Sequence, residues 1–379
     1  MTLTQFISFV ALTSWIYLLG FRGMFWLSRE RDDGDLAFLA AWPSVAAIVP
    51  ARDEASMIVH SAGSLLAQDY PGDFRILVVD DQSSDDTAQT ARALGGGARL
   101  EILRGAEPPQ GWTGKLWALK QGVIQAAGRP PDYFWFTDAD IAHSPDNLRR
   151  LIVRAEGGQF VMVSLMAKLR CESFAERFLI PAYVFFFAML FPFSRVNRTD
   201  DPTAAAAGGC ILLRRGALER AGGIDSIRHE IIDDCALGRR MKGQGPIWLG
   251  LTERAVSLRP YAHVRDIRQM IARSAYAQLR YSPFLLLGTL AGMTAIYAAP
   301  PFFALLGGGG ARIAAGLSWL CMATALQPML RFYRRSPLWG LALPVIGTFY
   351  AAFTLDSAIQ FWRGRGGMWK GRFQTMTRA

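Results

Sequence analysis

In the stretch DYFWFTDADIAHSPDN (Asp132 to Asn147), Asp138 and Asp140 stand one residue apart where an aromatic run ends, and His143 follows closely. Two carboxylates so placed suit a hard divalent cation, because Mg2+ and Mn2+ take oxygen ligands and commonly bridge to substrate phosphates. A carboxylate pair can also work as an acid and base couple, as in glycoside hydrolysis. A solvated turn would put the same residues there with no chemistry at all. His143 is either a further ligand or a turn residue, and the turn is the reading adopted.

Acids recur in comparable settings. ARDE, with Glu54, follows the apolar run SVAAIVP; Asp80 and Asp81 end FRILVVDD; Asp233 and Asp234 follow a double isoleucine in IIDDCALGRRMKGQG. Each has a structural explanation by itself, as a helix cap, a solvated turn or an acid favoured in a first helical turn by the dipole. One of Asp233 and Asp234 is also a candidate general base. Lys115, in GWTGKLWAL, is either an exposed lysine at a helix start or a positive charge for phosphates.

The elements around these residues narrow the choice. From Pro43 onward short apolar runs alternate with amphipathic stretches. SVAAIVPARDE, FRILVVDD, RLEIL and DYFWFTD read as strands. Glu54 to Gln68, QSSDDTAQTARAL (capped by Ser84 or Asp85) and GKLWALKQGVIQAA read as helices. Such alternation predicts an α/β fold with a parallel sheet and right-handed crossovers. Ligands of such sheets sit at the carboxyl ends of the strands, so three separate acidic groups are expected to meet on one edge. Beyond Phe160, FVMVSLMAKL reads as a further strand. Glu176 to Phe193 fits an interfacial helix flooring a lipid-facing cavity, or a buried core helix. In TAAAAGGCILLRR, Gly208 and Gly209 allow close backbone approach to a ligand ahead of a strand.

The ends of the chain differ from its middle. Hydrophobic residues reach 51% and charged residues 19%, too apolar a balance for an ordinary soluble domain. Leu3 to Leu27 carries only Arg22 and is long enough to cross a hydrocarbon core of roughly 30 Å. An uncleaved anchor is favoured over a signal peptide, because the stretch is long and its basic residues follow it. Ser282 to Leu306, Ile313 to Leu330 and Leu338 to Trp362 read as three more membrane segments. The basic residues Arg22, Arg29 and Arg31 place the middle in the cytoplasm. The basic tail from Arg363 to Arg372 conflicts with a simple fourth crossing: either Leu338 to Trp362 is a re-entrant hairpin broken near Gly347, the reading favoured, or the charge rule fails here. The organisation is then an anchor over 1–29, a cytoplasmic domain over 43–281 with interfacial helices, including His263 to Pro283, and a membrane region over 282–379. The net charge of +10 sits beside apolar spans, where anionic headgroups attract it, and nucleic acid is not expected. Four scattered cysteines suggest neither a zinc site nor a disulfide framework.

The series ARDE, VVDDQSSDDT, GKLWAL, TDAD, IDDCALGRR and QLRY resembles the membrane-bound inverting glycosyltransferases of family 2 and the related ceramide glucosyltransferases. Within these, GWTGKLWAL, DADIAHSPDNLRRL, LRCESFAERFLIPA and WLGLTERAVSLRPY look most like the bacterial hopene-associated group. The resemblance runs from about Pro43 to Tyr281 and implies a Rossmann-like GT-A fold. It also implies a nucleotide-diphosphate sugar donor, a divalent metal (Mg2+ or Mn2+), a membrane lipid acceptor such as a hopanoid, and a place in the bacterial inner membrane. By position, it implies that Glu54 and Asp81, with Asp80 beside them, hold the nucleoside and that Asp138 and Asp140 place the metal. Asp234, with Asp233 beside it, would supply the catalytic base. Gln278, Arg280 and Tyr281 stand for the family's Q-x-x-R-W, with Gln278 one residue too close and Tyr281 in place of tryptophan. Two rival readings share parts of this pattern: a processive polysaccharide synthase and a non-enzymatic membrane lipid-binding protein.

Overall fold

The computed structural model describes residues 1–34 and 39–365, with the backbone of two short strands, Met368–Trp369 and Arg372–Phe373. The rest of the basic tail lies outside the described residues. The chain forms two compact units.

The unit built on Glu30–Arg170 and Arg195–Pro260 holds a sheet of eight strands among the described residues. They are β1 (Val45–Ala51), β2 (Phe74–Asp80), β3 (Leu100–Arg104), β4 (Tyr133–Thr137), β5 (Ile141–His143), β6 (Met162–Lys168), β7 (Cys210–Arg214) and β8 (Ile247–Ser257), in the order β3-β2-β1-β4-β7-β6-β8-β5. Every residue of β1 and β4 is buried, which is why both read as unbroken apolar runs rather than alternating ones. Helices cover both faces. Ile58, Ala62 and Leu65 of Ala55–Leu66, with Leu148, Leu151 and Ile152 of Asn147–Gly157, pack on the face formed by Val45, Ala47, Ile76 and Trp135. On the other face, Gly122 of the helix Gly114–Ala126 lies so close to Ile48 and Val79 that a Cβ there would stand 2.4 Å from Ile48 Cγ2.

The expected parallel sheet holds for the first half only. β3, β2, β1 and β4 pair in parallel, but β7 enters antiparallel between β4 and β6, and β5 runs antiparallel to β8. Because β6 pairs in parallel with β8, β8 runs the same way as β4.

The other unit contains Met1–Arg29, Cys171–Ser194 and Tyr261–Gly367. Among the described residues, four of its helices are long and apolar enough to cross a membrane: Leu3–Gly20, Pro283–Leu306, Gly309–Phe332 and Pro337–Trp362. The first ends at Gly20 rather than Leu27, since Met24 and Ser28 take left-handed backbone and only a short 3-10 turn, Phe25–Leu27, lies between them. The expected hairpin near Gly347 is not formed. Leu343–Trp362 is one continuous helix, and Gly347 is the point where it meets Tyr297, whose ring would stand 2.7 Å from an added Cβ. Glycine there allows helices to approach and does not break one. Phe193 opens a separate short helix, Phe193–Val196, whereas most of Glu176 to Phe193 falls in the helix Phe174–Leu190, most of whose residues are buried. Its capping box, Ser173 with Glu176, satisfies the helix start, and the buried Glu176 carboxylate accepts from the backbone N–H groups of Glu172, Ser173 and Tyr261. His263 to Pro283 is not one helix but two, Val264–Ala272 and Ala275–Gln278. Asp356, the acid of the last apolar helix, stands 3.7 Å from Arg268.

Candidate active site

The topology brings the acids to one edge. β1, β2, β4 and β8 run the same way and end at that edge, while β7 and β5 run the opposite way and start there. The ends of four strands (Glu54 after β1, Asp80 and Asp81 at β2, Asp138 after β4, Arg259 after β8) therefore share an edge with the starts of two, where Gly208 precedes β7 and Asp140 precedes β5.

Lys115 sits among the carboxylates of Asp138, Asp233 and Asp234. Its Nζ is 2.8 Å from Asp138 Oδ1 and 3.2 Å from Asp233 Oδ2, and all three side chains line a cleft with Asp234, Gly208, Thr137 and Phe136. Lys115 lies in the first turn of Gly114–Ala126, whose start is set by Thr113: the side chain accepts from Leu116 N–H and the backbone N–H donates to Arg228 O at 3.0 Å. Asp233 and Asp234 open the helix Asp233–Lys242. Asp234 is held by two backbone donors, Gly208 N–H on Oδ2 at 3.1 Å and Cys235 N–H on Oδ1 at 2.7 Å.

The segment that supplies Gly208 is fixed from three sides. Ser164 Oγ on β6 accepts from Ala207 N–H and donates to Ala207 O. Thr137 Oγ1 at the end of β4 donates to Gly209 O. Gly238, one turn after Asp234, lies so close to Ala205 that an added Cβ would stand 2.8 Å from its carbonyl carbon. The run of small residues from Ala204 to Gly209 is therefore a close backbone contact that aims a peptide N–H at a carboxylate. Gly238→Ala should push the helix off this backbone, which cannot yield as a side chain can. The expected cost is roughly 1–3 kcal/mol of stability, with a loss of turnover up to about 100-fold as Asp234 moves. Thermal unfolding and kcat of the variant check both.

Burial alone would lower the Lys115 ammonium, but Asp138, Asp233 and Asp234 outweigh it and its pKa is raised, so it stays charged. Burial raises the Asp138 carboxyl, with Asp140 and Asp233 adding to the effect against the pull of Lys115. Asp234 is pushed up to about 6, first by burial and then by its neighbour Asp233, with Lys115 and the two backbone donors opposing. A carboxyl near this value is matched to accepting a proton at neutral pH.

A second group lies around Arg259. Its Nε donates to Asp140 Oδ2 at 2.6 Å and its Nη2 to Glu54 Oε1 at 2.5 Å. The residue was passed over in reading the sequence, although a basic side chain just after a strand, in AVSLRPY, was a usable signal. Asp81 is fully buried, with its N–H on Ala51 O and its carboxylate 3.7 Å from Arg52 Nη1. Asp80 turns back on its own loop, where its carboxylate accepts from the N–H and hydroxyl of Ser83. Asp85 ties the two loops together by accepting from Ala55 N–H and Thr87 N–H.

His143 is neither ligand nor turn residue. It lies in β5, buried, 4.6 Å from the Trp135 ring, with Nε2 2.8 Å from Thr137 Oγ1 and Nδ1 3.0 Å from Asn147 Nδ2. The Asn147 amide can only donate to Nδ1, so Nε2 carries the proton, and burial lowers the imidazole pKa to about 3. Gln278, Arg280 and Tyr281 belong to the other unit. There Arg280 and Tyr281 take left-handed backbone, Tyr281 stacks on Phe361, and its carbonyl accepts from Tyr276 Oη. Their role toward a donor rests on the resemblance alone.

Among the described residues no three His, Cys, Asp or Glu side chains converge as a metal cage. The donor set on offer is the carboxylate pair of Asp138 and Asp140. Hard oxygens in that small number fit a Mg2+ or Mn2+ ion that takes its remaining ligands from water and phosphate.

Comparison with known proteins agrees with the architecture. The family described as Glycosyl transferase family 2 matches residues 46–222. The chain is 28% identical over 205 residues to a 4,4'-diaponeurosporenoate glycosyltransferase of Staphylococcus aureus (strain bovine RF122 / ET3-1), a match covering 53% of this chain and 52% of that one. Related proteins from other S. aureus strains match similarly, so the chain spans about half the length of these relatives. Among solved structures, a mannosyltransferase, PcManGT from Pyrobaculum calidifontis in complex with GDP-Man and Mn2+, superposes with a TM-score of 0.57 at 19% identity, over 95% of this chain and 99% of that one. At that identity the likeness speaks to the fold. Residues 46–222 accordingly match the glycosyltransferase family 2 model, and the chain carries a Rossmann-like GT-A fold with a mixed sheet.

Proposed function

We propose that the protein transfers a sugar, with inversion, from a nucleotide-diphosphate sugar to a lipid acceptor of the bacterial inner membrane. The observation that carries this reading is the placement of Asp234, held by two backbone N–H groups in the cleft that also contains Lys115, Asp138 and Asp233. Asp234 takes the proton of the acceptor hydroxyl as its oxygen bonds to the anomeric carbon. The bond from that carbon to the phosphate oxygen breaks, and the electron pair leaves with the nucleoside diphosphate. Lys115 keeps a positive charge beside the two acids through the transfer and limits their repulsion of the incoming phosphates. Asp138 and Asp140 would hold Mg2+ or Mn2+, which would supply positive charge for the leaving group. Glu54 and Asp81 are proposed to bind the nucleoside.

Four apolar helices support an acceptor that stays in the bilayer, and the basic residues Arg22, Arg29 and Arg31 favour a domain on the cytoplasmic side. The S. aureus relatives are named for a lipid-like acceptor. A hopanoid is the acceptor that the sequence resemblance implies for this chain. The test is to incubate the full chain in detergent with bacterial lipid extract, Mn2+ and a set of nucleotide sugars, and to follow lipid mass. A lipid carrying one added sugar is the expected product. A ladder of sugars would point to a processive synthase, and an absence of both product and donor binding would return the chain to lipid binding alone.

A further inference from the structure

The Arg259 guanidinium joins two carboxylates that the proposed function gives to different parts of the donor: Glu54 to the nucleoside and Asp140 to the cation on the diphosphate. The contacts are short, and the side chains of Glu54 and Asp140 are only 8% and 15% exposed, against 28% for Arg259. An arginine cannot lose its proton in a protein and presents its donors in a rigid fork. Two ionised partners so little exposed to water make these contacts stronger than neutral ones. Arg259 is also tethered locally: Leu258 N–H donates to Asp140 O at 2.8 Å and Arg259 N–H approaches Ser257 Oγ. The fork thus arrives from the same backbone contact that positions the acid it neutralises.

We infer that Arg259 is the resident counter-ion of the donor site, competing with a free divalent cation for Asp140 and turning to the donor's phosphates when a nucleoside diphosphate arrives. The site then has weak affinity for the cation alone and strong affinity for cation and nucleotide together. This is a coupling free energy between two ligands, set by one side chain. The inference rests on the reading of Asp140 as part of the donor's cation site.

Mn2+ titrations followed by electron paramagnetic resonance on the full chain test it, without nucleotide and with UDP or GDP. Arg259→Gln is expected to bind free Mn2+ about ten-fold more tightly than the parent, a change equivalent to about 1.4 kcal/mol. The same variant should bind UDP or GDP with Mn2+ about ten-fold more weakly, for want of the phosphate partner. Arg259→Lys, which keeps the charge but reaches one carboxylate at a time, should fall between. A bridge with a purely structural role would lower the melting temperature of Arg259→Gln and leave its free Mn2+ affinity at or below the parent's, and that result overturns the inference. If the parent takes up no Mn2+ under either condition, the donor-site reading falls as well. Uptake by the parent with unchanged uptake by both variants removes only the role of Arg259.

Discussion

Asp234→Asn should leave donor binding unchanged and reduce sugar transfer by roughly 10²–10⁴-fold, the range that general base catalysis supplies. The two readouts are calorimetric titration with donor and initial rates of lipid glycosylation. The substitution keeps the shape of the side chain but not its acceptors. Gly208 N–H and Cys235 N–H each approach a different oxygen of Asp234, and an amide offers only one, so one donor loses its partner at a cost of about 1–3 kcal/mol. In the opposite direction, burial and Asp233 disfavour the charge that asparagine lacks. A raised carboxyl pKa means that the folded chain binds this proton more tightly than the unfolded chain. The associated stability is complete below the unfolded value of 3.8 and is lost as pH rises through about 6. Transfer has the opposite slope, because the base works only when ionised. In the parent, kcat should climb with pH to a plateau above about 6, and the residual rate of Asp234→Asn should not show this step. Full activity in the variant would remove Asp234 as the base.

Asp140→Ala should weaken donor binding in the presence of Mn2+ by roughly 10- to 100-fold and leave the weak binding seen without metal nearly unchanged. The difference between the two conditions is the informative quantity, since Asp140 also holds Arg259. Removing the carboxylate leaves Arg259 with Glu54, so the nucleoside end of the site keeps its partner and the loss should fall on the cation. Calorimetry with UDP and GDP, with and without Mn2+, measures it. Equal affinity with and without metal in both parent and variant would argue against the cation role.

Several features of this site were legible in the residues alone. The alternation from Val45 to Thr137 required an α/β unit, because buried parallel strands need apolar residues on both faces and helices to cover them. Acids placed directly after such strands had to meet at one edge. Asp138 and Asp140 were visible for that reason, whereas Asp234 stood out as an acid opening a helix and took its role from the resemblance; the four apolar stretches were visible because length and lack of charge are local properties.

What depended on contacts between distant residues was not legible. Nothing local marks β7 as antiparallel, yet that reversal brings Gly208 to the edge where β4 ends and so supplies the N–H on Asp234. His143 was read as a turn residue because it lies just beyond the acids that end an aromatic run, but Thr137 and Asn147 satisfy its ring inside the core. Gly347 looked like a break because glycine is a poor helix former, and its actual role is a close approach to Tyr297. Lys115 was ambiguous and Arg259 went unmarked for the same reason: a cation's role is set by the carboxylates it meets, and those come from chain segments far away. Residue type and order therefore determined the elements and the chemistry available at the sheet edge. Only the tertiary structure decided which charges neutralise one another there, because pairing depends on distance in space rather than along the chain.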